Sequence, residues 1–172
     1  MAAWLTVRGA LDAERRREIL ALAESAGFAA GAVEAGAADV AVLRESEVAW
    51  VDAPWIRAHL QALGEAVNAH FGFELEGLEA PQVARYGPMG GYDWHVDLGP
   101  GPASRRKLSV SILLEAADLG GAFELGVVEG LAAELAPGDA LAFPSYLRHR
   151  VAPVRAGRRT SLVGWFTGPP FR

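Results

Sequence analysis

The sequence predicts an α+β fold, mainly β, in which two amphipathic helices precede a β core. Three observations predict it. Apolar residues recur at helical spacing only in the first 80 residues. Short alternating or β-branched runs, bounded by Gly and Pro, fill residues 81–172. Helices and strands do not alternate along the chain, as a βαβ fold would require.

The first helix is expected behind an Asp12 cap. It runs over Arg15–Ala26 with Ile19, Leu22, Ala23 and Ala26 on one face, and Gly27 stops it. The second is expected to start at Asp52-Ala53-Pro54, with Asp52 as cap and proline in the first turn. Its stripe is Ile56, Leu60, Leu63, Val67, His70 and Phe71, and Gly72 ends it. Expected strands are Gln82–Tyr86, Tyr92–Asp97, Leu108–Leu114, Phe123–Val128, Leu131–Leu135, Ala140–Phe143, Arg148–Pro153 and Thr160–Phe166. Turn residues such as Gly87-Pro88-Met89-Gly90-Gly91 and Pro137-Gly138-Asp139 separate them. So many short strands argue for a sandwich, jelly roll or barrel.

At 172 residues and 18.2 kDa the chain fits one domain, 1–172, with 1–80 as helical support and 81–172 as core. It has no cysteine, which excludes disulfides, thiolate metal sites and cysteine nucleophiles. Any metal must be held by His and carboxylate. Residues 1–80 carry 13 acids and 6 bases, and residues 81–172 carry 8 acids and 10 bases, giving net −7 and +2 and −5 overall. That balance lacks the basic footprint of a nucleic-acid binder and argues against such a partner. No run reaches the roughly 18 apolar residues of a membrane span, and the N-terminus lacks the pattern of a signal peptide. A soluble, cytoplasmic protein is expected, and nothing in the sequence argues for an oligomer.

There are four histidines. His59 and His70 lie on the second expected helix, where surface or core-edge positions are ordinary. His95 and Asp97 lie two apart in an expected strand, so both side chains share one face. Alone, that pair is also what an ordinary His–Asp hydrogen bond looks like. His149, on another expected strand, completes two imidazoles and one carboxylate, the donor set of the facial triad in non-haem Fe(II) oxygenases. Ten residues on, Arg159 and Ser161 share a strand face. A guanidinium grips a carboxylate with two parallel hydrogen bonds, and a hydroxyl adds a third.

Several neighbours admit two readings. Trp94 should face away from His95 and pack. Asp93, on the His95 face, either orients that ring or is solvated at the strand start. Arg105-Arg106-Lys107 is either a solvated loop or a mobile basic lip. Arg148 and Arg150 should alternate away from His149. Ser109 and Ser111 should line the cavity.

The run Gln82-Val83-Ala84-Arg85-Tyr86-Gly87, then Tyr92-Asp93-Trp94-His95-Val96-Asp97, Gly120-Gly121-Ala122-Phe123, Pro137-Gly138-Asp139, and His149-Arg150-Val151 through Arg159-Thr160-Ser161 resembles the Fe(II)- and 2-oxoglutarate-dependent dioxygenases. Within them it is similar to the bacterial and phage branch of prolyl-4-hydroxylase-like enzymes. The resemblance implies a double-stranded β-helix, a jelly roll flanked by N-terminal helices. It implies His95, Asp97 and His149 as iron ligands, Arg159 as partner of the distal 2-oxoglutarate carboxylate with Ser161 assisting, and Tyr86 either as a cosubstrate contact or as a core tyrosine.

The implied cofactors are Fe(II), 2-oxoglutarate and O₂, with a reductant such as ascorbate keeping iron reduced. The implied reaction is hydroxylation of an unactivated C–H, with succinate and CO₂ as coproducts. The substrate is a peptidyl side chain such as proline, or a small metabolite. Arginine stands where prolyl hydroxylases proper usually carry lysine, so a prolyl substrate does not follow. Two other readings use the same residues: a cupin-like jelly-roll module holding a metal or sugar, and a zinc hydrolase. The first has no need of Arg159, and the second lacks a recognisable general base.

Overall fold

The computed structural model describes residues 2–31, 44–127 and 131–171. Its strands are β1 (Leu5–Val7), β2 (Ala29–Ala30), β3 (Arg44–Glu45), β4 (Glu47–Trp50), β5 (Gly77–Leu78), β6 (Gln82–Tyr86) and β7 (Gly91–His95). They continue with β8 (Arg106–Glu115), β9 (Leu119–Gly120), β10 (Phe123–Leu125), β11 (Ala140–Pro144), β12 (His149–Val151), β13 (Val154–Ala156) and β14 (Arg159–Thr167). Helices α1 (Ala13–Ala26) and α2 (Pro54–Phe71) precede the long strands, and a 3₁₀ turn covers Gly101–Arg105.

The large sheet runs β1-β11-β8-β14-β6-β4-β2, with β5 also on β14; the small sheet runs β10-β12-β7-β3, and β13 pairs β9. All these ladders are antiparallel. The large sheet is covered on both faces. Ile19, Ala23, Ile56, Leu60 and Val67 of the helices pack on Leu108, Val110, Ile112, Leu114, Leu162 and Phe166. On the other face Ala84, Tyr86, Leu141 and Phe143 meet Phe123, Leu125 and Val151 of the small sheet. Strand β8 is therefore buried without alternation from Lys107 to Leu114. Each fully buried Leu or Ile contributes roughly 1.5–3 kcal/mol relative to exposure. Helix α2 approaches β14 at Gly64, where a Cβ would lie 2.2 Å from the Phe166 ring. Only glycine permits that contact.

The structure corrects several sequence expectations. Asp12 does cap α1, accepting the Arg15 N–H at 2.8 Å, but Leu22 and Ala26 are exposed. The buried stripe of α1 is only Ile19 and Ala23. Asp52 does not cap α2. The capping position is Ala53, and Asp52, one residue too early, pairs with Arg57 at 2.9 Å. In α2, Gly64 joins Ile56, Leu60 and Val67 in the buried stripe, while His70 stays half-buried.

Strand β7 ends at His95 and not at Asp97, because the Ser145 carbonyl takes the N–H groups of both Asp97 and Leu98 at 2.9 Å. Leu131–Leu135 is not a strand; it makes one bridge, Ala132 to Glu124. Beyond it Arg8 takes the Glu134 carbonyl, and the Ala136 N–H donates to Asp139. Val128 of the expected Phe123–Val128 strand lies outside the described residues. The very short strands β2, β3, β5 and β9 show no hydrophobic periodicity that could announce them.

Asp139 fastens β1 to the turn before β11. It accepts the N–H groups of Ala136 and Gly9 at 2.9 Å and the Arg8 guanidinium at 2.6 Å. Those two backbone donors, then Arg8, bring its pKa down to about 2. The folded carboxyl titrates below its unfolded value of 3.8, so its contribution is complete above that value and vanishes as pH falls through about 2. Asp139 is buried but its Arg8 partner is exposed, so solvent screening of that pair limits the contribution to about 1–2 kcal/mol. Asp139→Asn therefore destabilises the protein by about that amount at pH 7 and by almost nothing near pH 2 in urea unfolding. An equal loss at both pH values contradicts this assignment.

Candidate active site

The β7–β12 ladder sets His149 directly opposite His95, and the two ring centroids lie 4.2 Å apart. Each Nδ1 meets the backbone carbonyl two residues before it. His95 contacts Asp93 O at 2.6 Å, and His149 contacts Leu147 O at 2.9 Å. A carbonyl only accepts, so each Nδ1 carries the proton and each Nε2 presents a lone pair. Both Nε2 atoms lie 3.7 Å from Asp97 Oδ1. The rings are held by stacking: Tyr92 lies 3.5 Å from His95, and Phe123 lies 5.3 Å from His149.

Asp97 reaches the same point from the bend after β7. Its Oδ2 accepts from Ser109 Oγ at 2.6 Å, and Ser109 in turn touches Ser145 Oγ at 2.9 Å. Burial pushes the Asp97 carboxyl up, but His149, His95 and the Ser109 hydroxyl together outweigh it and hold the pKa below its ordinary value. The Trp165 indole N–H also bears on this carboxylate, although it completes no hydrogen bond of normal geometry.

These three donors line a cleft of about 490 Å³ between the sheets. The strands deliver its lining at period two: Gln82, Ala84 and Tyr86 from β6, Ser109 and Ser111 from β8, and Arg159, Ser161, Val163 and Trp165 from β14. Arg159 is 3% exposed. Its guanidinium donates to Ser161 Oγ at 2.6 Å, and its strand partner across the ladder is Tyr86. Burial lowers the Arg159 pKa, and Tyr86 works against that shift. No carboxylate among the described residues pairs with it.

The donor set is two imidazole nitrogens and a carboxylate oxygen, all within 4.8 Å of one another. That suits an Fe(II) ion with further coordination positions left open. At the other side of the cleft sits the buried Arg159 guanidinium, with no carboxylate partner among the described residues.

The match to known proteins agrees with this chemistry. Residues 81–167, half of the chain, match the model of the 2OG-Fe(II) oxygenase superfamily. The chain belongs to that superfamily. A PKHD-type hydroxylase of Synechococcus sp. (strain CC9311) is 38% identical over 79 residues, which is 44% of this chain. The match spans only 36% of that relative's length. A Pseudomonas putida prolyl-4-hydroxylase has a TM-score of 0.77 at 23% identity, covering 96% of this chain and 93% of that one. A Trichoplax adhaerens prolyl hydroxylase, solved with a hypoxia inducible factor oxygen degradation domain peptide fragment, scores 0.78 at 21% identity, covering 96% and 83%. At such identities the likeness shows the fold: a jelly roll with N-terminal helices against its large sheet. Membership implies Fe(II), 2-oxoglutarate and O₂ as the cofactors.

All six residues singled out in the sequence line the cleft: His95, Asp97, His149, Tyr86, Arg159 and Ser161. Other expectations change. Asp93 meets His95 through its backbone carbonyl, while its side chain accepts the Trp94 N–H. Arg105 stays exposed at the end of the 3₁₀ turn, and Arg106 is half-buried. They pair with Glu76 and Glu79. Trp94 packs on the far face between Arg148 and Arg150, at 5.1 and 5.0 Å. Sequence reasoning missed Trp165, Gln82, Tyr92 and Phe123. For Trp165 and Gln82 a signal existed, since continuing the alternation from Arg159 or Tyr86 reaches them.

Proposed function

We propose that His95, Asp97 and His149 hold Fe(II), that Arg159 with Ser161 anchors the distal carboxylate of 2-oxoglutarate, and that the chain hydroxylates an unactivated C–H. The observation that carries this reading is Arg159, a buried guanidinium without a carboxylate partner among the described residues, in the same cleft as the three metal donors. When bound, the iron couples oxidative decarboxylation of 2-oxoglutarate to oxygenation of the substrate, with succinate and CO₂ released.

The chain's own residues do the positioning. Asp93 O and Leu147 O keep both imidazoles in the tautomer that offers Nε2. Ser109 orients Asp97 and adds to His149 and His95 in holding its pKa below the ordinary value. Arg159 and Ser161 offer converging donors to a carboxylate. Tyr86, across the ladder from Arg159, completes that end of the cleft as a cosubstrate contact. Ala84, Val163 and Phe143 supply apolar walls for the methylene carbons. We place both regions, 1–80 and 81–172, in one domain, since helices and sheet share one core. No helix among the described residues is long and apolar enough to cross a membrane. A cytoplasmic setting, where reductants keep iron ferrous, suits the chemistry. The substrate is a peptidyl side chain or a small metabolite.

Incubation with 2-oxoglutarate and ascorbate in air tests the reading. Succinate forms only with Fe(II), stops on chelation and resumes when iron is restored. Equal succinate in the chelated sample contradicts it.

A further inference from the structure

Asp97 has more acceptor capacity than its contacts among the described residues use. Its Oδ1 faces both Nε2 atoms at 3.7 Å, and its Oδ2 accepts the Ser109 hydroxyl at 2.6 Å. A carboxylate oxygen takes two donors, so Oδ2 has room for one more. Directly across the β8–β14 ladder from Ser109 stands Trp165, and both side chains line the cleft with Asp97. Trp165 is 9% exposed, and its indole Nε1 is buried with no hydrogen-bond partner among the described residues. Buried donors are almost always paired, so an orphan N–H beside a cluster of metal donors calls for an acceptor.

The indole is held where it stands. The Arg106 guanidinium lies over its ring, 4.1 Å from the centroid. Glu79 grips that guanidinium with both carboxylate oxygens at 2.8 and 2.7 Å, and the Glu79 N–H donates to Trp165 O at 2.9 Å. The clamp therefore closes on the residue it steadies. Arg106 also donates to Asp97 O at 3.3 Å. One ion pair thus secures both the backbone of Asp97 and the ring of the donor beside it. Burial raises the Asp97 pKa, and the Trp165 N–H counts among the groups that lower it, after His149, His95 and Ser109.

We infer that Trp165 is a positioning residue for Asp97: its indole N–H is the second donor to the Asp97 carboxylate, and it completes that hydrogen bond when a divalent metal occupies the site. The inference rests on the metal-site reading above and deepens it. Ser109 and Trp165, opposite one another on adjacent strands, together fix Oδ2 and leave Oδ1 to the metal. The Glu79–Arg106 pair keeps the indole in register for that task. Trp165 acts through Asp97 and sets how tightly the site holds its metal.

Metal-free wild type and Trp165→Phe are titrated with Mn(II) by calorimetry, without cosubstrate. Phenylalanine keeps a ring under Arg106 and removes the N–H. The variant binds Mn(II) about 10- to 100-fold more weakly, the ordinary cost of losing a group that orients a metal ligand. In the wild type, the ¹⁵N-labelled indole N–H of Trp165 moves downfield and exchanges more slowly when diamagnetic Zn(II) is added, as an N–H does on engaging a carboxylate. A residue that merely packs gives no such response, and this measurement needs no variant to fold. Equal Mn(II) affinity in Trp165→Phe overturns the inference. So does an indole resonance that ignores Zn(II) and moves only with 2-oxoglutarate, which makes the N–H a cosubstrate donor. The wild-type isotherm separates the two readings. A chain that binds no metal sinks the metal site and the inference with it, whereas tight binding unaffected by Trp165→Phe sinks the inference alone.

Discussion

Replacing Arg159 by methionine raises the 2-oxoglutarate concentration needed for half-saturation by about 30- to 1000-fold. Removing one partner of a buried, hydrogen-bonded ion pair costs roughly 2–4 kcal/mol, and each 1.4 kcal/mol is tenfold. Methionine keeps much of the volume beside Phe123 and leaves no unpaired cation, so folding is spared. Arg159 touches none of the three metal donors, so Mn(II) binding measured by calorimetry stays within a factor of two or so. Lysine at this position retains charge but loses the two-pronged grip, and its effect falls between the other two. An unchanged 2-oxoglutarate isotherm in Arg159→Met contradicts the anchoring role.

His149→Ala abolishes succinate formation and weakens metal binding by more than about 100-fold. Loss of a group that merely orients a metal ligand costs 10- to 100-fold, and loss of the ligand itself costs more. The imidazole lies between Phe123 and Phe143, at 5.3 and 4.6 Å, so its removal also leaves a small apolar cavity. Thermal unfolding of the metal-free proteins separates the two effects. The variant melts a few degrees lower yet cooperatively, while metal no longer raises its midpoint. Iron-dependent succinate at the wild-type rate would remove His149 from the site.

Much of the site was legible because strands expose alternate residues to one cavity. Spacing of two joins Arg159 to Ser161 and, carried further, to Val163 and Trp165. For His95 and Asp97 the same spacing leads to the right neighbourhood by a different route. The strand has ended, and it is the Ser145 carbonyl that bends the chain and delivers Asp97. No pattern in residues 95–97 encodes that contact, since its partner is far along the chain. The partners of Arg105 and Arg106 are equally remote, Glu76 and Glu79 on either side of β5, so the run of bases does not announce its ion pairs. Helix α2 was legible from its stripe, but Asp52 was misplaced as a cap because a first-turn proline does not fix which preceding residue takes that role. Leu131–Leu135 has strand composition, and its pairing with β10 stops after the Leu131 C=O and Ala133 N–H bonds to Leu125 and Phe123.

The central claim is that the His95, Asp97 and His149 donors and the Arg159 guanidinium serve one metal–cosubstrate site. Anaerobic titration of the metal-free protein with Fe(II) and then 2-oxoglutarate tests it most directly, through the visible metal-to-ligand charge-transfer band. The band appears with wild-type protein at one equivalent of iron, is absent from His149→Ala, and in Arg159→Met needs far more 2-oxoglutarate. Iron binding without any band on addition of 2-oxoglutarate to the wild type would contradict the account.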